Sequence, residues 1–130
     1  GVMVAPIVPG LTDEEIPRIL EASAKAGAQH AGSVVLRLPF AVAPLFEAWL
    51  DRHYPARKER ILNRIRGMRD GKLYQSEWGS RQRGEGFHAE QIANIFRVAC
   101  NKYGLNKSKL ELSSSAFRWP DGNQMRVFED

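Results

Sequence analysis

Apolar positions run almost unbroken from Val2 to Val8, through Met3, Val4, Ala5 and Ile7. No polar residue alternates in this run, the pattern of a strand covered on both faces in a parallel sheet. Pro9-Gly10 ends it, and Thr12 with Glu15 spells a Thr-x-x-Glu capping box that opens a helix. Ile16, Ile19, Leu20, Ser23, Ala24 and Gly27 then recur at helical spacing, a narrow stripe of small and aliphatic side chains. Gly27 is placed to stop that helix, and Val34, Val35, Leu36 and Leu38 supply the next strand. Strand, helix and strand in this order predict a βαβ unit with a right-handed crossover. Two parallel strands with two apolar faces need further strands beside them and helices over them. The sequence opens directly in such a strand, which predicts the C-terminal piece of a longer polypeptide. A small domain that completes its sheet by dimerising is the alternative.

After Phe40 the period changes to that of helices. Val42, Leu45, Phe46, Trp49 and Leu50 mark an amphipathic helix ending near His53-Tyr54-Pro55. A second helix is expected from about Ala56 to Arg69, with Ile61, Leu62, Ile65 and Met68 facing a core. Asp70-Gly71-Lys72 reads as a turn, and Leu73–Gly86 as a loop rich in Gly, Arg and aromatics. A third helix runs from about Phe87 to Tyr103, closed by Gly104. Its packing face is expected to hold Ala89, Ile92, Ala93, Ile95, Phe96 and Ala99. Beyond Leu105 the pattern is irregular, apart from a hairpin signal at Pro120-Asp121-Gly122-Asn123. The expected organisation is thus α/β at residues 1–40, a helical extension at 41–105 and an irregular tail at 106–130.

Charge changes this picture in one region. Arg52 to Arg83 holds ten Lys/Arg against three acids, a surplus of seven, whereas the whole chain carries only +4. Arg57, Arg60 and Arg64 share one helical face, while Arg81 and Arg83 flank a loop carrying Tyr74 and Trp78. Basic side chains beside aromatics suit nucleic acid, where phosphates take the charge and bases stack. A solvated basic helix face is the competing reading. The same two-way choice applies at Gly84-Glu85-Gly86, ahead of a helix start. Free amides there could hold an anion, yet Glu85 opposes one and two glycines also make a tight turn.

Composition removes several classes. With 43% hydrophobic and 26% charged residues, the chain suits one globular unit. No apolar run approaches the roughly 20 residues of a membrane helix, and no signal-peptide pattern is present, so no membrane partner and a cytoplasmic location are expected. One cysteine, Cys100, excludes a disulfide framework, and its place among Ile92, Ile95, Phe96, Ala99 and Tyr103 marks it as a small core hydrophobe. His30, His53 and His88 lack ligand spacing, so no metal site is expected. Arg37 is the only charge in its apolar strand and lies near that strand's C-terminal end, where (β/α) barrels gather their active sites. The alternative for it is an ion pair with Asp13 or Glu14.

GVMVAPIVPGLTDEEI followed by SVVLRLPF resembles the last two strands of the partial (β/α) barrel of radical S-adenosylmethionine enzymes. LRLPFAVAPLFEAWL, Arg81-Gln82-Arg83-Gly84-Glu85-Gly86 and a Ser-x-x-Phe-Arg tail are similar to the C-terminal region of a spore photoproduct lyase-like group, often labelled DNA repair photolyase. The resemblance implies the last β-α-β unit of a partial barrel followed by a mainly helical extension. It also implies that a full-length parent holds a 4Fe–4S cluster and S-adenosylmethionine. Ala5, Ile7, Pro9, Gly10, Arg37 and Leu38 would then line the S-adenosylmethionine pocket, with backbone groups on adenine and Arg37 on a carboxylate or substrate phosphate. Such enzymes hold the cluster in a Cys-x-x-x-Cys-x-x-Cys loop, which this sequence lacks. The fragment alone is therefore expected to be inactive, and DNA is the partner that the resemblance implies for Arg57, Arg60, Arg64, Arg81 and Arg83. A non-catalytic basic module that binds nucleic acid or a partner is the reading from a different class.

One short match stands apart. Gln124-Met125-Arg126-Val127-Phe128 resembles the Gln-Leu-x-Leu-Phe peptide that docks bacterial replication and repair proteins on the sliding clamp. Gln124 would hydrogen-bond while Met125, Val127 and Phe128 fill an apolar groove. The competing expectation makes this stretch the second arm of a hairpin packed on the helices.

Overall fold

In a computed structural model, which describes residues 1–109 and 113–117, the chain is mixed α/β. Strand β1 (Val2–Ile7) is followed by a 3-10 turn (Asp13–Glu15), helix α1 (Ile16–Lys25) and strand β2 (Ala31–Val35). Helix α2 (Val42–His53), a 3-10 turn (Pro55–Arg57), α3 (Lys58–Gly67) and α4 (Phe87–Tyr103) complete the described elements. The two strands pair in parallel, with Val2 opposite Ala31, Met3 opposite Gly32 and Val4 opposite Ser33. The register shifts between Val4 and Ile7, a segment that contains the cis Ala5–Pro6 bond, and resumes at Ile7 and Val35. The βαβ unit expected from the apolar pattern is present.

Its details depart from the pattern in three ways. First, β1 is buried on one side only. Val4 and Ile7 enter the core, while Met3 is 62% exposed and Ala5 also faces outward. Helices α1 and α4 pack against the side that holds Val4 and Ile7. Second, β2 starts earlier and stops earlier than Val34–Leu38, so Leu36, Arg37 and Leu38 lie just past its end. Third, the Thr12–Glu15 capping box does not form. The Thr12 hydroxyl instead accepts the Val8 amide at 2.9 Å, inside its own turn.

Two apolar clusters hold the fold. Val4, Ile7, Ile16, Leu20 and Val35 meet Met68 and the α4 residues Ala89, Ile92, Ala99 and Cys100. Val8 and Leu38 meet Leu50 of α2 with Ile61, Leu62 and Ile65 of α3. Burying such side chains contributes on the order of 1.5–3 kcal/mol each. Residues before Phe40 thus share both cores with residues after it. On α4, Ala93 and Ile95 point outward and Cys100 takes a core position, so the buried face is rotated from the expected one. Helix α3 begins at Lys58 rather than Ala56, because Pro55 opens a 3-10 turn first. Residues 118–130, including the expected clamp peptide Gln124–Phe128 and the hairpin signal, lie outside the described residues.

Candidate nucleic-acid interface

The turn after β1 is fastened from within. Asp13 Oδ1 accepts the Gly10 amide at 3.0 Å, beside the Thr12 bond to Val8. Gly10 has φ +80°, and a Cβ there would stand 2.8 Å from Arg64 Nη1. Glycine is therefore needed both for the backbone and for the approach of Arg64. Arg64 crosses from α3 and meets Asp13 Oδ2 at 3.6 Å. One aspartate thus holds the turn and the arginine together.

Around that contact lies an open cleft of about 300 Å³. Gly10, Asp13 and Glu14 form one wall, Arg57, Arg60 and Arg64 the other, and Ile95 of α4 closes an end. Arg60 and Arg64 are one helical turn apart on α3, and Arg57 precedes them in the 3-10 turn. Arg64 is offset by Asp13, whereas Arg57 and Arg60 are exposed and make no ion pair among the described residues. The cleft opens beyond the carboxyl end of β1. Ligands of open parallel sheets sit at that end, because the loops there diverge.

The other predicted contacts gather elsewhere. Arg81 stacks its guanidinium 3.7 Å from the centre of the Trp78 ring, and Trp78 is 86% exposed. Arg83 is exposed in the same loop and does not line the cleft. The five arginines therefore form two groups rather than one groove. The Gly84-Glu85-Gly86 loop that follows Arg83 acts as a turn: the Gly84 amide goes to Ser80 O at 2.7 Å and the Glu85 amide to Met68 O at 3.0 Å. Neither amide is left for an anion.

The residues expected around S-adenosylmethionine also divide. Ile7 and Leu38 are buried in the two cores, Pro9 is buried, Ala5 is exposed, and Gly10 lines the cleft. Arg37 pairs with neither Asp13 nor Glu14. Its Nη2 donates to Tyr74 Oη at 3.5 Å, and its guanidinium lies 5.9 Å from the centre of the Tyr74 ring.

Arg69 was not among the expected site residues, yet it is only 1% exposed. Nη1 donates to Arg81 O at 3.1 Å and Nη2 to Leu36 O at 2.8 Å. Burial, and then the charge of Arg37, push its pKa below the ordinary arginine value. The signal was present in the sequence. Arg69 continues the stripe of Ile61, Leu62, Ile65 and Met68, four residues after Ile65.

Cys100 is buried, and burial pushes its thiol pKa up, as expected for a core hydrophobe. Among the described residues no three His, Cys, Asp or Glu side chains are grouped to hold a metal ion. No described helix is long and apolar enough to cross a membrane. Fold and site together define an α/β protein with an arginine-lined cleft at the carboxyl end of a parallel strand. The chain matches no protein-family model, no curated protein and no solved structure.

Proposed function

We propose that this chain is the C-terminal part of a radical S-adenosylmethionine enzyme that acts on nucleic acid, with the α3 arginines as its backbone contact. The βαβ unit is the last part of the partial barrel in this reading. One observation carries it: Arg57, Arg60 and Arg64 line the same cleft as Gly10, at the end of β1 where a (β/α) barrel keeps its active site. A substrate phosphate held on α3 would lie beside that end. The residues present do not themselves fit an iron–sulfur cluster, because the single thiol is buried and no group of three ligand side chains occurs among the described residues. The cluster ligands must belong to another part of the parent polypeptide.

That same donor set favours the second reading, a non-catalytic basic module. A Cys-x-x-x-Cys-x-x-Cys loop encoded upstream distinguishes the two.

Binding of duplex and single-stranded DNA against salt tests the interface. Each phosphate contact contributes about 0.9 to the slope of log affinity against log salt on duplex DNA, so Arg57→Ala with Arg60→Ala should lower it by about 2. Arg64→Ala should act less through charge, since Asp13 already offsets it. Absence of binding at low salt, or an unchanged slope, rejects the interface.

The proposal extends to the cytoplasm and to the sliding clamp as a partner of Gln124, Met125, Val127 and Phe128. A labelled tail peptide should bind the clamp, and Phe128→Ala should weaken it about tenfold or more. Equal binding by the two peptides removes the clamp.

A further inference from the structure

Three buried side-chain atoms among the described residues lack a hydrogen-bond partner: Arg37 Nε, Arg69 Nε and Ser80 Oγ. They belong to one neighbourhood. Arg69 is bonded to the carbonyl of Leu36, which precedes Arg37, and to that of Arg81, which follows Ser80. Ser80 is 8% exposed and Arg69 1%, while Arg37 is half-buried and reaches solvent. No carboxylate lies within ion-pair distance of either guanidinium among the described residues. Among the described residues the Arg37 side chain donates to the Tyr74 hydroxyl, at the long distance of 3.5 Å.

This arrangement is costly as it stands. A buried ion without a counter-charge is strongly disfavoured, and two neighbouring cations add repulsion. Ionisable groups perturbed by burial and by a like charge cluster at functional sites. Two backbone bonds hold the Arg69 guanidinium in place. Among the described residues, two N–H groups and one hydroxyl are left to be met by an acceptor that carries negative charge.

We propose that Arg37, Arg69 and Ser80 form a binding site for a dianionic phosphoryl group, just beyond the carboxyl end of β2. A phosphate monoester matches the site in charge and in acceptor number. A carboxylate or a backbone diester carries only one charge. Guanidinium groups suit this task because their N–H donors form a rigid fork matching phosphate oxygens. The site shares no residue with the α3 cleft, and it rests on buried geometry rather than on the nucleic-acid reading. On that reading, the ligand is a terminal phosphate of the nucleic acid.

The test is calorimetric titration of the chain with inorganic phosphate, at constant ionic strength, with acetate and chloride as controls. Phosphate should bind, and should bind more tightly at about pH 8 than at about pH 6, where the dianion is scarcer. Arg69→Met removes two backbone bonds that tie Leu36 and Arg81 to the end of α3, so Arg37→Gln and Ser80→Ala carry the test. Arg37→Gln should weaken phosphate about tenfold or more, and Ser80→Ala, which removes one hydrogen bond, about threefold to tenfold. The Arg57→Ala, Arg60→Ala double variant should lower the DNA salt slope by about 2 and keep the phosphate response that Arg37→Gln and Ser80→Ala weaken. The proposal is overturned if phosphate acts no differently from acetate or chloride. It is overturned equally if the two site variants bind like the parent, or if only the α3 variant loses phosphate. Oligonucleotides with a 5′-phosphate or a 5′-hydroxyl then separate the sources. A preference for the 5′-phosphate supports the site with a nucleic-acid terminus as ligand, and equal affinity supports it with a small phosphorylated molecule.

Discussion

Gly84 sits where a side chain has no room. Its φ is +74°, and a Cβ there would stand 2.9 Å from Met68 Cε, 3.1 Å from Met68 Cβ and 3.2 Å from Met68 O. Met68 is itself buried in the cluster that joins α4 to the strands, so it cannot move aside without disturbing that core. Gly79 offers the contrast: φ is +95° and nothing lies within 4 Å of its Cβ position. Gly79→Ala should cost only the backbone strain, about 1 kcal/mol, while Gly84→Ala should cost about 2–3 kcal/mol. Urea denaturation of both variants measures the difference, and equal losses would mean that the Met68 contact relaxes freely. Arg69 shows the same dependence on surroundings with opposite chemistry. A stripe position could be read from its spacing, but the carbonyls of Leu36 and Arg81 that receive it are 33 and 12 residues away.

Helix α4 ends as glycine closures do, with Gly104 left-handed and the Leu105 amide on Cys100 O at 2.9 Å. The next residue turns this end into a clip. Asn106 accepts the Ala31 amide at 2.9 Å and donates to Ala31 O at 3.0 Å, while its own amide reaches Gln29 O at 2.8 Å. The α4 end is thereby fixed to the first residue of β2. Asn106→Ala should lower stability by about 1 kcal/mol, since water can replace part of what an exposed pair loses. Asn106→Asp keeps the acceptor but sets a carboxylate oxygen against Ala31 O, so it should cost at least as much. Thermal unfolding reads both, and a parent-like Asn106→Ala would show that the clip contributes nothing.

Across the whole molecule the two clusters are joined through the same elements. Met68, one residue past α3, enters one core, and Ile61, Leu62 and Ile65 of α3 enter the other. Val8 follows Ile7 directly, yet the two side chains lie in different clusters. Shared elements of this kind couple the cores into a single cooperative unit. Leu20→Ala and Leu62→Ala, one in each cluster, should each shift one common transition, with losses of about 2–5 kcal/mol. If Leu62→Ala instead produced an early transition that left Leu20 packed, the helical extension would be a separate unit from residues 1–40.

By itself the sequence determined the local order of the chain. The unbroken apolar run, the helical stripes and Gly104 were enough for the βαβ unit, α2 and α4, because periodicity is a property of neighbouring residues. It also placed Cys100 in a core and the basic surplus on residues 52–83. Only the tertiary structure decided which apolar faces are covered, so that Met3 lies open and Ile95 edges a cleft rather than a core. It decided too that Thr12 serves its own turn, that Asp13 takes Arg64 rather than Arg37, and that Arg69 is buried on two backbone carbonyls. The physical reason is one of range. Apolar burial follows from spacing along an element, whereas the partner of a polar group depends on which distant segment folds against it.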